Sequence, residues 1–189
     1  MEPRSRRPDL GLLALRLGVG STLAAHGAQK LFGWFGGGGI EGTAAGMEAM
    51  GFHPSRQSAV LAGLGETGGG VLLALGLATP VGGAAAASTM VAAGAVHRPA
   101  GFFATAGGYE YTGVLGLAGT ALAIAGPGRY SVDHLLADRF NRPWMATAAL
   151  ALLGGAAVAV VARREQAIAA PDGEPAGDPV GENSEAAGA

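Results

Sequence analysis

The amino-acid sequence predicts an all-α membrane protein: a polytopic transmembrane four-helix bundle with an extra carboxy-terminal transmembrane helix. Two observations predict this fold class. Only 14% of the 189 residues are Asp, Glu, Lys or Arg, whereas soluble domains contain about 25%. The charges are also unevenly placed, since long charge-poor intervals separate them. A helix needs about 20 apolar residues to cross the hydrocarbon core of a bilayer, and these intervals are long enough.

The charge-poor intervals each hold at most one Asp, Glu, Lys or Arg. Arg16 is the only charge between residues 9 and 30, Glu66 the only one between 56 and 98, and Glu110 the only one between 98 and 129. The net charge of −2 and the lack of a basic patch give no support for nucleic acid as a partner. The absence of cysteine excludes disulfides, thiol catalysis and cysteine-ligated zinc or iron–sulfur clusters. The scattered histidines predict no metal site.

The predicted organisation follows from these intervals and from the composition of the two ends. Its parts are a basic cytoplasmic head (1–9), the bundle (10–135), a loop with the fifth apolar helix (136–162) and an acidic disordered tail (163–189). The predicted spans are 10–32, 58–78, 81–96, a fourth that starts between 101 and 108 and ends at 126, and 144–162. A short interfacial helix is expected over 43–50.

Basic residues predict the orientation of the bundle, since they favour the cytoplasmic side of a membrane. They are concentrated in the head and in residues 127–143, which lie at the same end of the predicted bundle. We therefore expect a multi-pass protein of the cell (inner) membrane with a cytoplasmic amino terminus. The fifth run, if it spans, carries the acidic tail to the outside.

Six polar residues are predicted to lie in the outer half of the membrane. A rise of 1.5 Å per residue along antiparallel helices places them there, and the spacing i, i+3, i+4 puts the first three on one helix face. The members of this predicted polar cluster are His26, Gln29, Lys30, Glu66, His97 and Glu110. Either the cluster binds a ligand, or its basic members only neutralise the two glutamates. Catalytic residues are not identified.

Arg16 is the exception among the intramembrane charges. It lies close to the inner end of the first span, from which a long side chain can reach the lipid headgroups. We interpret it as a structural charge that extends toward the interface.

The second and fourth spans resemble each other around their glutamates. Residues 66–69 (ETGG) and 110–113 (EYTG) both place a glutamate three residues before a glycine, ahead of a run of Leu, Ala and Gly that ends in proline. A pseudo-repeat of two hairpins would bring both glutamates to equivalent positions.

Residues 26–37 (HGAQKLFGWFGG) resemble the amino-terminal motif of the DoxX family of small membrane proteins. Residues 65–69 (GETGG), 107–110 (GGYE) and 126–133 (GPGRYSVD) resemble further elements of the same family, in the same order. The resemblance covers residues 10–135. It implies a four-helix membrane bundle linked to oxidoreductase complexes that handle sulfur compounds or oxidative stress, and it is the sole indication of quinone as a cofactor. The fifth apolar run departs from this pattern.

Three functions remain open. The first is a membrane subunit or accessory of an oxidoreductase complex, whose polar cluster holds a quinone headgroup or a small anion and moves protons. Its partners are then the lipid bilayer and other protein subunits, and any redox centre belongs to a ligand or partner. The second is a small transporter or channel, although its expected mid-membrane helix breaks are missing, because the prolines stand at span ends. The third is a non-catalytic scaffold.

Overall fold

The computed structural model describes residues 6–170, in which the chain forms helices, turns and loops without a β-strand. The helices are α1 (Arg7–Phe32), α2 (Gly39–Ala49), α3 (Ser55–Leu75), α4 (Thr79–His97), α5 (Glu110–Ala125), α6 (Val132–Leu135) and α7 (Pro143–Ala169). Within this part of the chain, α1, α3, α4 and α7 are long and apolar enough to cross a membrane. The predicted all-α, polytopic membrane fold is confirmed.

The helices form a bundle in which sequence neighbours pack side by side. The main contacts are α1 with α3, α3 with α4, and α4 with both α5 and α7, while α2 lies against α1 and α3. We call the end with residues 33–54 and 98–109 the cavity end. The opposite end, with residues 76–78 and 126–142, is the turn end.

Glycines set the close approach of the helix backbones. A Cβ atom on Gly20 of α1 would lie 2.6 Å from the Gly70 carbonyl oxygen of α3, and one on Gly119 of α5 would lie 2.9 Å from the Gly83 carbonyl oxygen of α4. Small residues permit such contacts between membrane helices. The larger apolar side chains fill the remaining space between α1, α3, α4 and α5, in a core of Val19, Leu23, Leu73, Ala86, Met90, Leu115 and Leu122.

Helices α3 and α4 form the predicted hairpin, with different boundaries. Gly76 ends α3 in the left-handed region at φ +66°, where glycine has no steric penalty. Pro80 is accommodated in the first turn of α4, because the first turn of a helix has no backbone hydrogen bond for proline to remove. The span expected at 58–78 therefore lies three residues earlier, and the span expected at 81–96 is extended at both ends.

The fourth predicted span begins later than expected and is shorter. Residues before α5 form two 3-10 turns, Arg98–Ala100 and Ala104–Ala106. The loop is closed because the Glu110 N–H donates to the Phe102 carbonyl oxygen at 2.8 Å. Helix α5 has 16 residues, about 24 Å at 1.5 Å per residue, and so falls short of a hydrocarbon core about 30 Å thick.

The fifth apolar run forms a helix that is longer than its apolar part. Helix α7 has 27 residues and ends at Ala169, so the expected start of the disordered tail at 163 is wrong for residues 163–169. Residues 171–189 of that predicted tail, like residues 1–5 of the head, lie outside the described part of the chain. Helix α2 begins before the expected residue 43.

Candidate functional site

An ion pair joins α1 to α3 inside the bundle. The Lys30 Nζ lies 2.5 Å from the Glu66 Oε2, and the two side chains are 26% and 5% exposed, respectively. A charge-assisted hydrogen bond of this kind is stronger than one between neutral groups. The pair compensates Glu66 for the loss of its hydration inside the bundle.

The backbone explains why these two side chains meet. A Cβ atom on Gly27 would lie 2.7 Å from the Gly63 carbonyl oxygen, so α1 and α3 are in backbone contact about one turn from the pair. Side chains of a helix lean toward its amino terminus. Because α1 and α3 are antiparallel, Lys30 and Glu66 lean toward each other.

Glu66 lies deeper than the sequence suggested. Because α3 begins at Ser55, Glu66 is about 17 Å along its axis, near the middle of a hydrocarbon core about 30 Å thick.

The ion pair borders a cavity of about 430 Å³ between α2, α3, α4 and α7. Ligand pockets of proteins have volumes of about 300–1,000 Å³. Most of its lining is apolar, and its polar lining residues are Lys30, Ser58, Glu66, Ser88, Thr89 and His97. We call this space the Lys30–Glu66 cavity.

Three members of the predicted polar cluster come together here. Lys30, Glu66 and His97 all line the cavity. His97 is held by its ring, whose Nδ1 is 2.8 Å from the Gly107 carbonyl oxygen. This contact ties the end of α4 to the loop that precedes α5.

The other three members point elsewhere. The His26 Nε2 is 3.2 Å from the Tyr111 hydroxyl oxygen of α5. Gln29 donates to the Phe35 carbonyl oxygen at 3.3 Å. Neither residue lines the cavity, although both were expected to share a face with Lys30.

Glu110 occupies a different position from Glu66. It is the first residue of α5, where its carboxylate accepts a hydrogen bond from the Ala104 N–H at 3.0 Å. Glu66 lies in the interior of α3. The prediction that a pseudo-repeat places the two glutamates equivalently is wrong, because α5 starts only after the closed 101–109 loop.

Arg16 does not extend to the headgroups, so that expectation is wrong. Its side chain is fully buried and donates to the Leu73 carbonyl oxygen at 3.3 Å and to the Tyr130 carbonyl oxygen. The carboxylate of Asp133 attracts it electrostatically. Backbone carbonyls at the turn end therefore hold this charge within the protein.

Asp133 is a buried residue that the sequence reasoning missed. It is 0% exposed and accepts the Ala78 N–H at 3.0 Å and the Thr79 N–H at 3.2 Å, one on each carboxylate oxygen. It thus satisfies two backbone donors at the start of α4. The available signal was its place in the 126–133 motif.

The arrangement can bind a molecule that is apolar over most of its surface and carries hydrogen-bonding oxygens. The ammonium of Lys30 is a donor, the carboxylate of Glu66 is an acceptor, and the ring of His97 can serve as either. Within residues 6–170, no three His, Asp or Glu side chains are grouped as ligands of a metal ion.

The fold and the cavity define a class of protein. The chain is a multi-pass α-helical membrane protein whose helices line a mostly apolar cavity bordered by a partly buried ion pair. Residues 11–99 match the DoxX family model, so the resemblance predicted from residues 26–37 and 65–69 is confirmed for this stretch. The match includes Lys30, Glu66 and His97 but excludes α5 and α7. Comparisons with curated proteins and with solved structures gave no significant match.

Proposed function

We propose that this chain is a membrane subunit or accessory of an oxidoreductase complex and that the Lys30–Glu66 cavity holds the headgroup of a lipophilic quinone. The observation that carries the proposal is the ion pair at the border of a mostly apolar cavity within the membrane-spanning bundle. The link to oxidoreductases and the choice of a quinone come from the DoxX resemblance, and the mostly apolar lining with hydrogen-bonding groups supports a ligand of this class.

The lining suits a quinone headgroup in both polarity and position. A quinone ring carries two carbonyl acceptors on an otherwise apolar body, and its reduced form carries two hydroxyl donors. Lys30 can donate to the first form and Glu66 can accept from the second. The apolar walls from α7 and from the loop that follows α2, among them Leu153 and Phe52, suit the ring and the start of its hydrocarbon tail.

In this proposal the chain's own residues bind and orient the headgroup and handle protons. A bound quinone would supply the two-electron chemistry, and a partner subunit would exchange the electrons. Lys30 donates to one carboxylate oxygen of Glu66, and the carboxylate has further acceptor positions for a hydroxyl of the reduced headgroup. Ser88, Thr89 and His97 supply further hydrogen-bonding groups on the α4 wall.

The first prediction tests this site by exchanging one carboxylate for an amide. The protein is purified in mild detergent, and the quinone extracted from it is quantified per chain, together with co-purifying protein subunits. We expect Glu66→Gln to lower the bound quinone about tenfold, the effect of losing one charge-assisted hydrogen bond. Glu110→Gln makes the same chemical change outside the cavity and should leave the quinone content unchanged.

A second cavity variant separates binding from stability. Ala157→Phe fills the cavity from α7, where Ala157 is buried in the lining, without altering the ion pair. We expect this variant also to lose its bound quinone, while its thermal unfolding midpoint stays within a few degrees of the wild-type value. Wild-type protein that carries neither quinone nor partner subunits, or a Glu66→Gln variant that loses only stability, would support the scaffold hypothesis instead.

A further inference from the structure

We infer that α7 is a lateral gate of the Lys30–Glu66 cavity, through which a membrane-dissolved ligand enters between α3 and α7, and that Arg164 latches this gate. The inference rests on the proposed function only for the identity of the ligand. It concerns a helix that lies outside the matched DoxX domain.

One stripe of α7 forms a wall of the cavity. Leu153, Ala157 and Val160 all line it, and their spacing of four and three residues places them on one helix face. Continuing this stripe by steps of four residues leads to Arg164 and then to Ile168. The face of α7 that lines the cavity therefore also carries Arg164 and Ile168, which lie past the cavity toward the carboxy-terminal end of the helix.

The cavity opens toward the lipid between α3 and α7. Leu61 of α3 and Val160 of α7 both line it, yet they are 66% and 38% exposed. An exposed residue that also lines a cavity marks its opening. Both residues belong to apolar helices long enough to cross a membrane, so the molecule that meets this opening is a lipid rather than water.

Arg164 fastens α7 across the cavity. Helix α7 packs mainly on α4, and its contacts with the loop between α2 and α3 lie near its carboxy-terminal end. There the Arg164 Nε donates to the Met50 carbonyl oxygen at 2.8 Å, and its guanidinium lies 5.4 Å from the centre of the Phe52 ring. Met50 and Phe52 themselves line the cavity, so this latch joins two of its walls one helical turn from Val160.

The neighbouring arginine provides a matched control. Arg163 is exposed, carries the same charge and lies on the same helix, one residue from Arg164. Gln in either position removes one charge and keeps a long polar side chain. A difference between Arg164→Gln and Arg163→Gln therefore reports the latch rather than the charge of the helix end.

The second prediction measures the gate without any ligand. The chain contains no cysteine, so Ala157→Cys introduces a single thiol into the cavity wall. In proteoliposomes we expect N-ethylmaleimide to label it about tenfold faster when Arg164→Gln is added, because one charge-assisted hydrogen bond is lost. Arg163→Gln should leave the rate unchanged. A charged, lipid-insoluble thiol reagent should react much more slowly than N-ethylmaleimide in each background.

Two results would overturn the gate. One is equal labelling in the Arg164→Gln and Arg163→Gln backgrounds, with both variants folded by their thermal midpoints. The other is labelling by the charged reagent that is as fast as labelling by N-ethylmaleimide, which would place the entrance in water. Release of a radiolabelled decyl benzoquinone gives a separate readout. If Arg164→Gln speeds thiol labelling but no quinone binds, the gate stands and quinone is not the ligand. If quinone binding depends on Glu66 but Arg164→Gln does not change labelling, the gate is wrong.

Discussion

At the scale of single residues, the charged side chains at the two ends of this bundle have different hydrogen-bond partners. At the turn end, Arg16 and Asp133 are fully buried; backbone carbonyl oxygens accept from the terminal nitrogens of Arg16, whose Nε has no partner, and backbone N–H groups donate to Asp133. At the cavity end, Lys30 and Glu66 satisfy each other and still face an open volume. The first arrangement is suited to stability, since it leaves no room for a ligand, and the second is suited to binding.

The third prediction concerns the carboxylate of Asp133. Both of its oxygens accept backbone N–H groups, and Asn retains only one acceptor oxygen. Asp133→Asn should therefore destabilise the protein by about 1–3 kcal/mol, the cost of a buried donor left unsatisfied. The measurement is the thermal unfolding midpoint in detergent.

A second aspartate at the same end serves as the control. Asp138 is 45% exposed and lies 3.6 Å from His134, so Asp138→Asn should change stability by less than about 0.5 kcal/mol. Equal midpoints for the two variants would mean that Asp133 does not hold the start of α4.

At the scale of the helices, the closest packing depends on which glycines face a neighbour. Gly20 and Gly18 both lie within α1, yet a Cβ atom on Gly20 would lie 2.6 Å from the Gly70 carbonyl oxygen, while one on Gly18 would have no neighbour within 4 Å. Their contrast separates the effect of packing from the effect of helix propensity.

The fourth prediction exchanges each of these glycines for alanine. Gly20→Ala should lower stability by about 1–3 kcal/mol, because backbone atoms of α3 must move to admit the methyl group. Gly18→Ala should be neutral or stabilising by up to about 1 kcal/mol, since alanine favours the helix. Thermal midpoints measure both, and a loss of stability in Gly18→Ala would contradict the packing assignment.

The helices themselves could largely be predicted, whereas their ends could not. Charge-poor intervals located α1, α3, α4 and α7, because the bilayer requires long apolar runs. The ends of the helices depend instead on local hydrogen bonds and on polar residues that continue a helix. The hydrogen bonds of residues 101–110 delay the start of α5, and the polar Arg163–Ala169 part of α7 continues the helix beyond its apolar run.

For the whole molecule, the intramembrane charges could be found from the sequence, and most of their partners could not. Counting residues predicted that Lys30 and Glu66 lie in the same half of the membrane; in the structure the two side chains pair, with Glu66 about 17 Å along α3. Spacing also grouped His26 with Lys30, but α5 packs near α1 and its Tyr111 meets the histidine. Spacing shows which residues share a helix face, and only the packing of the helices shows which neighbour covers it. For the same reason, the α7 wall of the cavity was not predicted.

The fifth prediction concerns the orientation of the whole bundle in the membrane. Arg129, Arg139 and Arg142 at the turn end favour the cytoplasm. Single cysteines at exposed positions of each end, Thr105→Cys and Leu135→Cys, can be tested with an impermeant maleimide. In right-side-out vesicles we expect label on the first, and in inverted vesicles on the second.

Reversed labelling would invert the assigned orientation and leave the cavity unchanged. Labelling of both positions from the same side would contradict the bundle topology itself.

The buried network around Arg16 and Asp133 also restricts where the bundle can move. It links α1, the α3–α4 turn and the segment that leads to α7, all at one end. Helix α7 begins ten residues after Asp133, and near its other end Arg164 donates to the Met50 carbonyl oxygen. Because the buried network lies at the turn end, we expect the thermal motion of the helices to be smaller there than beside Leu61 and Val160.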